Sequence, residues 1–332
     1  MIKFDAEKFI REGEKVYNLR DKIEAIAIQL FNDGIKNIFF TASGGSNAVM
    51  QPFYYWMESK SNIPSYLTTA ADLLASGNKK IQKDSLVVLL SKSGDTKETV
   101  AIAKKMEKLG IRTVSFVNKD NTPLQRHSTY TINTFGYHPQ EMAFYFFIGK
   151  IMAEKGEFLE YDNFAKELKY LPADMNDVAK QVDEQAKQFA ERYQNADYQI
   201  WVGSGDLWGT TYCYSMCVLE ESQWLRTKSV SSPEFFHGTF ELVEKNVPVI
   251  LLESEGNTRP LDERVAAFAK KYTNEFTVFD MKSFPLTHIS KQFRALVEPA
   301  VMWAALRRVS IHLENIRNHP LTKRRYYRVV EY

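Results

Sequence analysis

Residues 85–96 read SLVVLLSKSGDT: a run of strand character, then Ser91-Lys92-Ser93-Gly94-Asp95-Thr96. An uninterrupted Val/Leu run suits a strand buried on both faces, the condition of a parallel sheet covered by helices. The loop behind it is unusual in carrying three hydroxyl side chains around one glycine. At the carboxyl end of a parallel strand, ahead of a helix, backbone N–H groups and the helix dipole favour an anion. Ser91, Ser93 and Thr96 add neutral donors, and Gly94 lets the backbone approach closely. A helix cap explains Asp95 or Thr96 but leaves Ser91 and Ser93 without a purpose. A bound phosphate explains them all.

Working outward from this loop, the pattern alternates between strand and helix. An amphipathic helix is expected over about 5–33, then a strand over Lys36–Thr41 that ends in Ala42-Ser43-Gly44-Gly45-Ser46-Asn47. A helix to about Glu58 follows, with strands near Tyr66–Thr69, Thr113–Val117 and Tyr130–Thr134, a helix over Thr96–Leu109 and a long one from about Pro139 to Lys155. The second half begins again with a strand at Tyr198–Val202, a Gly203-Ser204-Gly205 turn and a helix over Leu207–Ser222. Pro248–Glu253 and Phe276–Phe279 read as further strands, separated by a helix over Pro260–Tyr272, and a closing helix spans about Lys291–Asn315. Strand–turn–helix with a Gly/Ser turn thus recurs at an offset of about 160 residues. The reading is α/β: two doubly wound, flavodoxin-like parallel-sheet units in three αβα layers. Boundaries are expected at 1–34 for the opening helix, 35–160 for the first unit, 161–195 for connecting helices, 196–315 for the second unit and 316–332 for a tail.

A chain of 332 residues, 44% hydrophobic and 25% charged, has room for two such cores. A net charge of +2 with scattered Lys and Arg announces no nucleic-acid face. No run of 18 apolar residues spans a membrane, and the charged start MIKFDAEKFIREGEK lacks a signal-peptide core. A cytoplasmic protein is expected. Cys213 and Cys217 are the two cysteines and read as small core residues, with neither a disulfide framework nor metal spacing. The Phe144-Tyr145-Phe146-Phe147 run reads as core packing. Gly203-x-Gly205 with Gly209 misses the dinucleotide fingerprint by one residue, and no ribose-binding acid follows it, so a nicotinamide cofactor is not expected.

A third stretch, 219-LEESQWLRTKSVSSPEFFHGTFEL-242, ends a helix in Glu220 and Glu221 and then delivers Glu234 and His237. An isolated histidine is more often structural and a glutamate pair at a helix end is usually solvated. Beside a phosphate pocket, however, a carboxylate and an imidazole suit proton shuttling on a sugar.

The three stretches together resemble the sugar isomerase (SIS) domain family in its double-SIS form. That family carries S-x-S-G-x-T after a central parallel strand as its phosphosugar loop, and SKSGDT matches it; ASGGSN resembles the other phosphate-side turn. The resemblance implies a phosphosugar-binding set of Gly45, Ser46, Ser91, Lys92, Ser93 and Thr96. Glucosamine-6-phosphate synthases carry a Glu and a later E-x-x-H-G at fixed spacing, and Glu221 with Glu234-Phe235-Phe236-His237-Gly238 reproduces it, 237 − 221 = 16. Glu221 and His237 are therefore implied as the catalytic pair, with the histidine reaching the site from a neighbouring protomer of a homodimer or larger assembly. No glutaminase domain with an N-terminal cysteine is read, and Tyr326 stands where the synthases have a lysine near the C-terminus. The tail 317-RNHPLTKRRYYRVVEY-332 and Asn257-Thr258-Arg259-Pro260-Leu261 are instead similar to the fructosamine-6-phosphate deglycases.

The implied activity is cleavage of a fructose–amino acid 6-phosphate to glucose 6-phosphate and the free amino acid, without metal or cofactor. Arg259, His319, Arg324, Arg325 and Tyr326 are candidates for contacts with the substrate or for a tail that closes the site; the competing reading for each charged residue is a surface salt bridge. Two rivals stand beside this. A plain aldose–ketose isomerase uses the same Glu and His. A non-catalytic phosphosugar sensor would leave the pair idle, and such regulators carry a DNA-reading domain for which the 33 or so residues ahead of the first unit leave little room.

Overall fold

In the computed structural model, which describes residues 1–331, the strands form two parallel sheets. The first contains β1 (Asn37–Ala42), β2 (Ser65–Thr69), β3 (Ser85–Leu90), β4 (Arg112–Val117) and β5 (Tyr130–Asn133) in the order β2-β1-β3-β4-β5. The second contains β6 (Gln199–Gly203), β7 (Thr227–Ser231), β8 (Val249–Glu253) and β9 (Phe276–Asp280) in the order β7-β6-β8-β9. Every pairing is parallel, and in each sheet the first strand sits between the second and the third. That is the doubly wound order, with a switch point at the carboxyl ends of β1 and β3, and again of β6 and β8. The expected double α/β architecture is what the chain adopts.

All six residues of β3 are buried, as are all five of β6 and of β8, because helices cover both faces of each sheet. On the first sheet the helix Glu141–Glu154 is buried on nearly every side. Phe144, Tyr145, Phe146 and Phe147 are all core, and Phe144 stacks on Phe116 at 3.9 Å between ring centroids. No helix among the described residues is long and apolar enough to cross a membrane.

Glu7–Pro172 make up one compact unit, and Met1–Ala6 with the chain from Ala173 onward make up the other. The boundary thus falls near the start of the helix Leu171–Tyr193, so the stretch 161–195 is shared between the units. Asp174, fully buried near the start of that helix, accepts from the His288 backbone N–H at 3.1 Å and pairs with its Nδ1 at 2.6 Å, which anchors the helix in the second unit.

Three local expectations are corrected. The opening helix is two helices, Ala6–Tyr17 and Arg20–Asn32, the latter pinned by Glu24 between Arg20 and the Tyr161 hydroxyl. Thr227–Ser231, where no strand was expected, is the edge strand β7. The single helix expected over 207–222 is a 3₁₀ turn, Gly205–Leu207, a short α-helix, Trp208–Tyr212, and then an eleven-residue π-helix, Cys213–Gln223. Tyr332 lies outside the described residues.

Candidate active site

In the unit Glu7–Pro172, β1 and β3 are neighbours, and their carboxyl ends deliver the two hydroxyl-rich turns side by side. Ser43 leaves β1 extended (φ −124°), Gly44 takes the left-handed region (φ +54°), and the helix Gly44–Lys60 begins, placing Gly45 and Ser46 in its first turn. After β3, the buried Ser91 hydroxyl accepts from the Gly94 N–H at 3.1 Å and lies 2.9 Å from the Thr96 hydroxyl. Gly94 is at φ +69°, and a Cβ there would lie 2.4 Å from Thr122, so glycine is required twice over. Ser93 donates to the Asp95 carboxylate.

Both helices that start here lack a side-chain cap, although Ser43 and Thr96 occupy the capping positions. Thr96 turns its hydroxyl to Ser91 instead. Two helix amino ends, whose first N–H groups have no intrahelical acceptor, therefore converge with the hydroxyls of Ser46, Ser91, Ser93 and Thr96. Gly45, Ser46, Ser91, Lys92, Ser93 and Thr96 are all brought to these two strand ends.

One residue in this unit escaped the sequence reading. Glu141, nine-tenths buried, opens the helix Glu141–Glu154, whose next eight residues carry no charge. Burial raises its carboxyl above the ordinary range, while the nearby Lys92 ammonium pulls it down. The readable signal was an acid leading EMAFYFFIGKIM, a position that serves the helix dipole and keeps Lys92 company.

In the other unit, Glu221 lies near the end of the π-helix, which runs into the amino end of β7. Ser215 and Glu220 both reach the Thr227 hydroxyl, at 2.6 and 2.7 Å. They are five residues apart, the span of the π-helical hydrogen bond, which brings both onto the side facing β7. Trp224 ends the helix in the left-handed region (φ +56°). Its ring meets the Arg325 guanidinium at 3.9 Å, Lys323 at 5.1 Å and the edge of His319 at 4.3 Å.

These contacts fold the tail against the helix end, and an open pocket of ≈ 890 Å³ lies there. Glu220 and Glu221 line it together with Arg226, Arg317, Arg324 and Arg325, and the exposed Tyr326 stands at its wall. Arg324 holds Glu221 at 2.8 Å. His319 is buried and packed on Trp224; burial first, then Lys323, Arg317 and Arg325, hold its imidazole below the usual range.

Arg259 and His237 do not line this pocket. Arg259, at the start of the helix Arg259–Tyr272, spans Asp280 with both terminal nitrogens (2.8 and 3.0 Å), reaches the Ser254 carbonyl at 2.9 Å and pairs with Glu263 at 2.9 Å. His237 is exposed on the turn after the short helix Ser232–Phe235 and does not line the pocket; its backbone N–H donates to the Glu234 carbonyl.

Residues 34–151 match the family model described as the SIS domain. Fructosamine deglycase FrlB of Bacillus subtilis is 33% identical over 319 residues, 94% of this chain and 97% of that protein. Fructoselysine 6-phosphate deglycase of Escherichia coli is 22% identical over 331 residues, 98% of this chain and 96% of that one. The crystal structure of a Bacillus subtilis protein named as a phosphosugar isomerase superposes with a TM-score of 0.87 at 32% identity, covering 94% of this chain and all of that one. In fold alone, the C-terminal domain of glucosamine-fructose-6-phosphate aminotransferase from Francisella tularensis follows at a TM-score of 0.75, with 18% identity and coverage of 92% and 96%.

Proposed function

The chain belongs to the double-SIS family of phosphosugar isomerases and deglycases and is an enzyme of that class; from that premise we propose that it cleaves a fructose–amino acid 6-phosphate to glucose 6-phosphate and the free amino acid. One observation carries the step from the class to this reaction. The pocket beside Glu221 is lined by four guanidinium groups, from Arg226, Arg317, Arg324 and Arg325; Arg324 is paired with Glu221 at 2.8 Å, and a sugar phosphate whose phosphate is bound elsewhere has no further anion to offer the other three. An amino acid on the sugar does offer one, its carboxylate, and arginine forks match carboxylates.

The hydroxyl cradle at the ends of β1 and β3 takes the phosphate, through Gly45, Ser46, Ser91, Ser93 and Thr96 and the two helix amino ends, with Lys92 adding positive charge beside it. Binding energy gathered there, remote from the reacting carbons, fixes C1 and C2 in place. In the substrate, C1 carries the amine and C2 is a carbonyl, which acidifies the C1 hydrogens. Glu221 removes one of them to give an enaminol. Return of a proton to C2 makes the imine of glucose 6-phosphate. Water then adds across the C=N bond, the amine leaves with a proton, and the aldehyde of glucose 6-phosphate remains. His237 is the acid/base for ring opening and for protonating the departing amine.

His237 stands exposed and away from the pocket of its own chain, which supports its use by a second copy in a homodimer. Mixing inactive Glu221→Gln chains with inactive His237→Asn chains would then restore part of the activity; mixtures as inactive as either parent would rule this out.

The reaction is tested by incubation with a panel of phosphorylated fructose–amino acids, following glucose 6-phosphate and amine together. Equal release of both is expected, with Glu221→Gln slowed about 10² to 10⁴-fold and phosphosugar binding retained. Interconversion of amine-free sugar phosphates, with no amine released from any adduct, would identify an isomerase instead.

A further inference from the structure

The second sheet repeats the architecture of the phosphate cradle and fills it with the protein's own side chains. After β1 come Ser43, extended, and Gly44 at φ +54°; after β6 come Ser204, extended (φ −143°), and Gly205 at φ +53°. After β3 comes the buried Ser91, whose hydroxyl accepts from the Gly94 N–H at 3.1 Å; after β8 comes the buried Ser254, whose hydroxyl accepts from the Gly256 N–H at 2.8 Å. In both sheets these turns sit at the ends of the first and third strands, the switch point of a doubly wound fold.

In the first sheet the strand-end turns hold one carboxylate, the exposed Asp95, which accepts from the Ser93 hydroxyl, while the Ser91 and Thr96 hydroxyls bond each other at 2.9 Å and no buried carboxylate enters these turns' hydrogen bonds. In the second sheet a carboxylate stands at the centre. Asp262, fully buried in the first turn of the helix Arg259–Tyr272, accepts from the hydroxyls of Ser204 at 2.6 Å and Ser232 at 2.5 Å, and from the Ser254 N–H at 3.0 Å. Glu298, also fully buried, comes in from the helix Lys291–Ile316 and accepts from the Ser254 hydroxyl at 2.8 Å and the Glu255 N–H at 2.5 Å. Ser204, Ser232 and Ser254 are themselves buried, so no donor of this set faces solvent.

We propose that the carboxyl end of the second sheet is a second phosphate-type anion cradle that is permanently occupied by Asp262 and closed by Glu298, so that each chain holds one phosphosugar and not two. Two hydroxyls and a backbone N–H around one anion are the chemistry that the first cradle offers a phosphate; here a side chain of the same fold satisfies it. The duplicated unit thereby keeps its architecture without a competing ligand site, and its contribution to the chemistry comes from the opposite end of the sheet, where Glu221 stands. This inference does not depend on which sugar phosphate is the substrate.

The test is the inorganic-phosphate-dependent rise in melting temperature of the full chain. Wild type is expected to respond through the first cradle. Ser91→Ala/Ser93→Ala/Thr96→Val should abolish the response, and adding Asp262→Ser to that triple variant should bring it back, because the vacated cradle now accepts a small anion. Asp262→Asn in the same background, whose amide still fills the space, should give none. If the Asp262→Ser chain does not fold in phosphate-free buffer, refolding in phosphate should recover it. A response that survives in the triple variant with Asp262 intact would overturn the proposal, as would an Asp262→Ser chain that is indifferent to phosphate or stays unfolded with it. A wild type without any response would count against the first cradle, while Asp262→Ser alone still reads the second.

Discussion

Arg259 shows how the chemistry of a single residue divides between structure and function. Its guanidinium is committed to Asp280, Glu263 and the Ser254 carbonyl, and its side chain is only 14% exposed. Removing it leaves Asp280, itself partly buried, without its bidentate partner, at a cost of about 2–3 kcal/mol in stability. Arg259→Ala should therefore lower the urea midpoint while kcat measured on the folded enzyme stays within about twofold of wild type, a change worth less than ~0.5 kcal/mol in barrier height. A selective rise in KM for carboxylate-bearing substrates at unchanged stability would return Arg259 to the substrate. The turn SKSGDT was legible because turn chemistry is local: Gly94 at φ +69° and the Ser91 hydroxyl that accepts from its N–H stand three residues apart in the chain. Arg259 was legible as a charge but not as a partner, since Asp280 is 21 residues away, at the end of β9.

At the scale of elements, strand–helix alternation was readable wherever a strand is buried on both faces, as in β3, β6 and β8. β7 was not. As an edge strand with Val230 its one buried residue, TKSVS has too little apolar signal to separate it from a loop. The π-helix was also hidden, because its repeat is stabilised by tertiary bonds from Ser215 and Glu220 to Thr227 that no helical periodicity announces. The helix Lys291–Ile316 carries a buried acid with a measurable consequence. Burial raises the Glu298 carboxyl well above its ordinary range; the hydrogen bonds from Ser254 and Glu255 act against this, while the charges of Asp206 and Glu255 add to it. The folded protein then holds that proton more tightly than the unfolded chain, whose carboxyl titrates near pH ~4.3, so this group withdraws stability as pH rises from there through its folded value. Glu298→Gln cannot ionise and escapes the loss. Its melting temperature relative to wild type should climb between pH 4.5 and 8; a constant difference across that range would show that Glu298 titrates normally.

On the scale of the whole molecule, one fold is used twice with different outcomes. In the first unit the switch point carries two uncapped helix ends and a set of hydroxyls bonded among themselves and to the exposed Asp95; in the second the same turns are bonded to the buried Asp262 and Glu298. The repeat itself was legible from the Gly/Ser turns about 160 residues apart. The division of labour was not, because it depends on which buried side chain points into which turn. The proposed activity rests on a single chemical event, transfer of hydrogen between the first two carbons of a phosphate-anchored sugar. The decisive measurement is cleavage of a fructose–amino acid 6-phosphate carrying two deuterium atoms at C1. Removal of one of them by Glu221 predicts glucose 6-phosphate with a single deuterium left at C1, formed far more slowly by Glu221→Gln. Fructose 6-phosphate that keeps both deuterium atoms on C1, formed by direct displacement of the amine by water, would mean that no proton leaves that carbon, and would contradict the account.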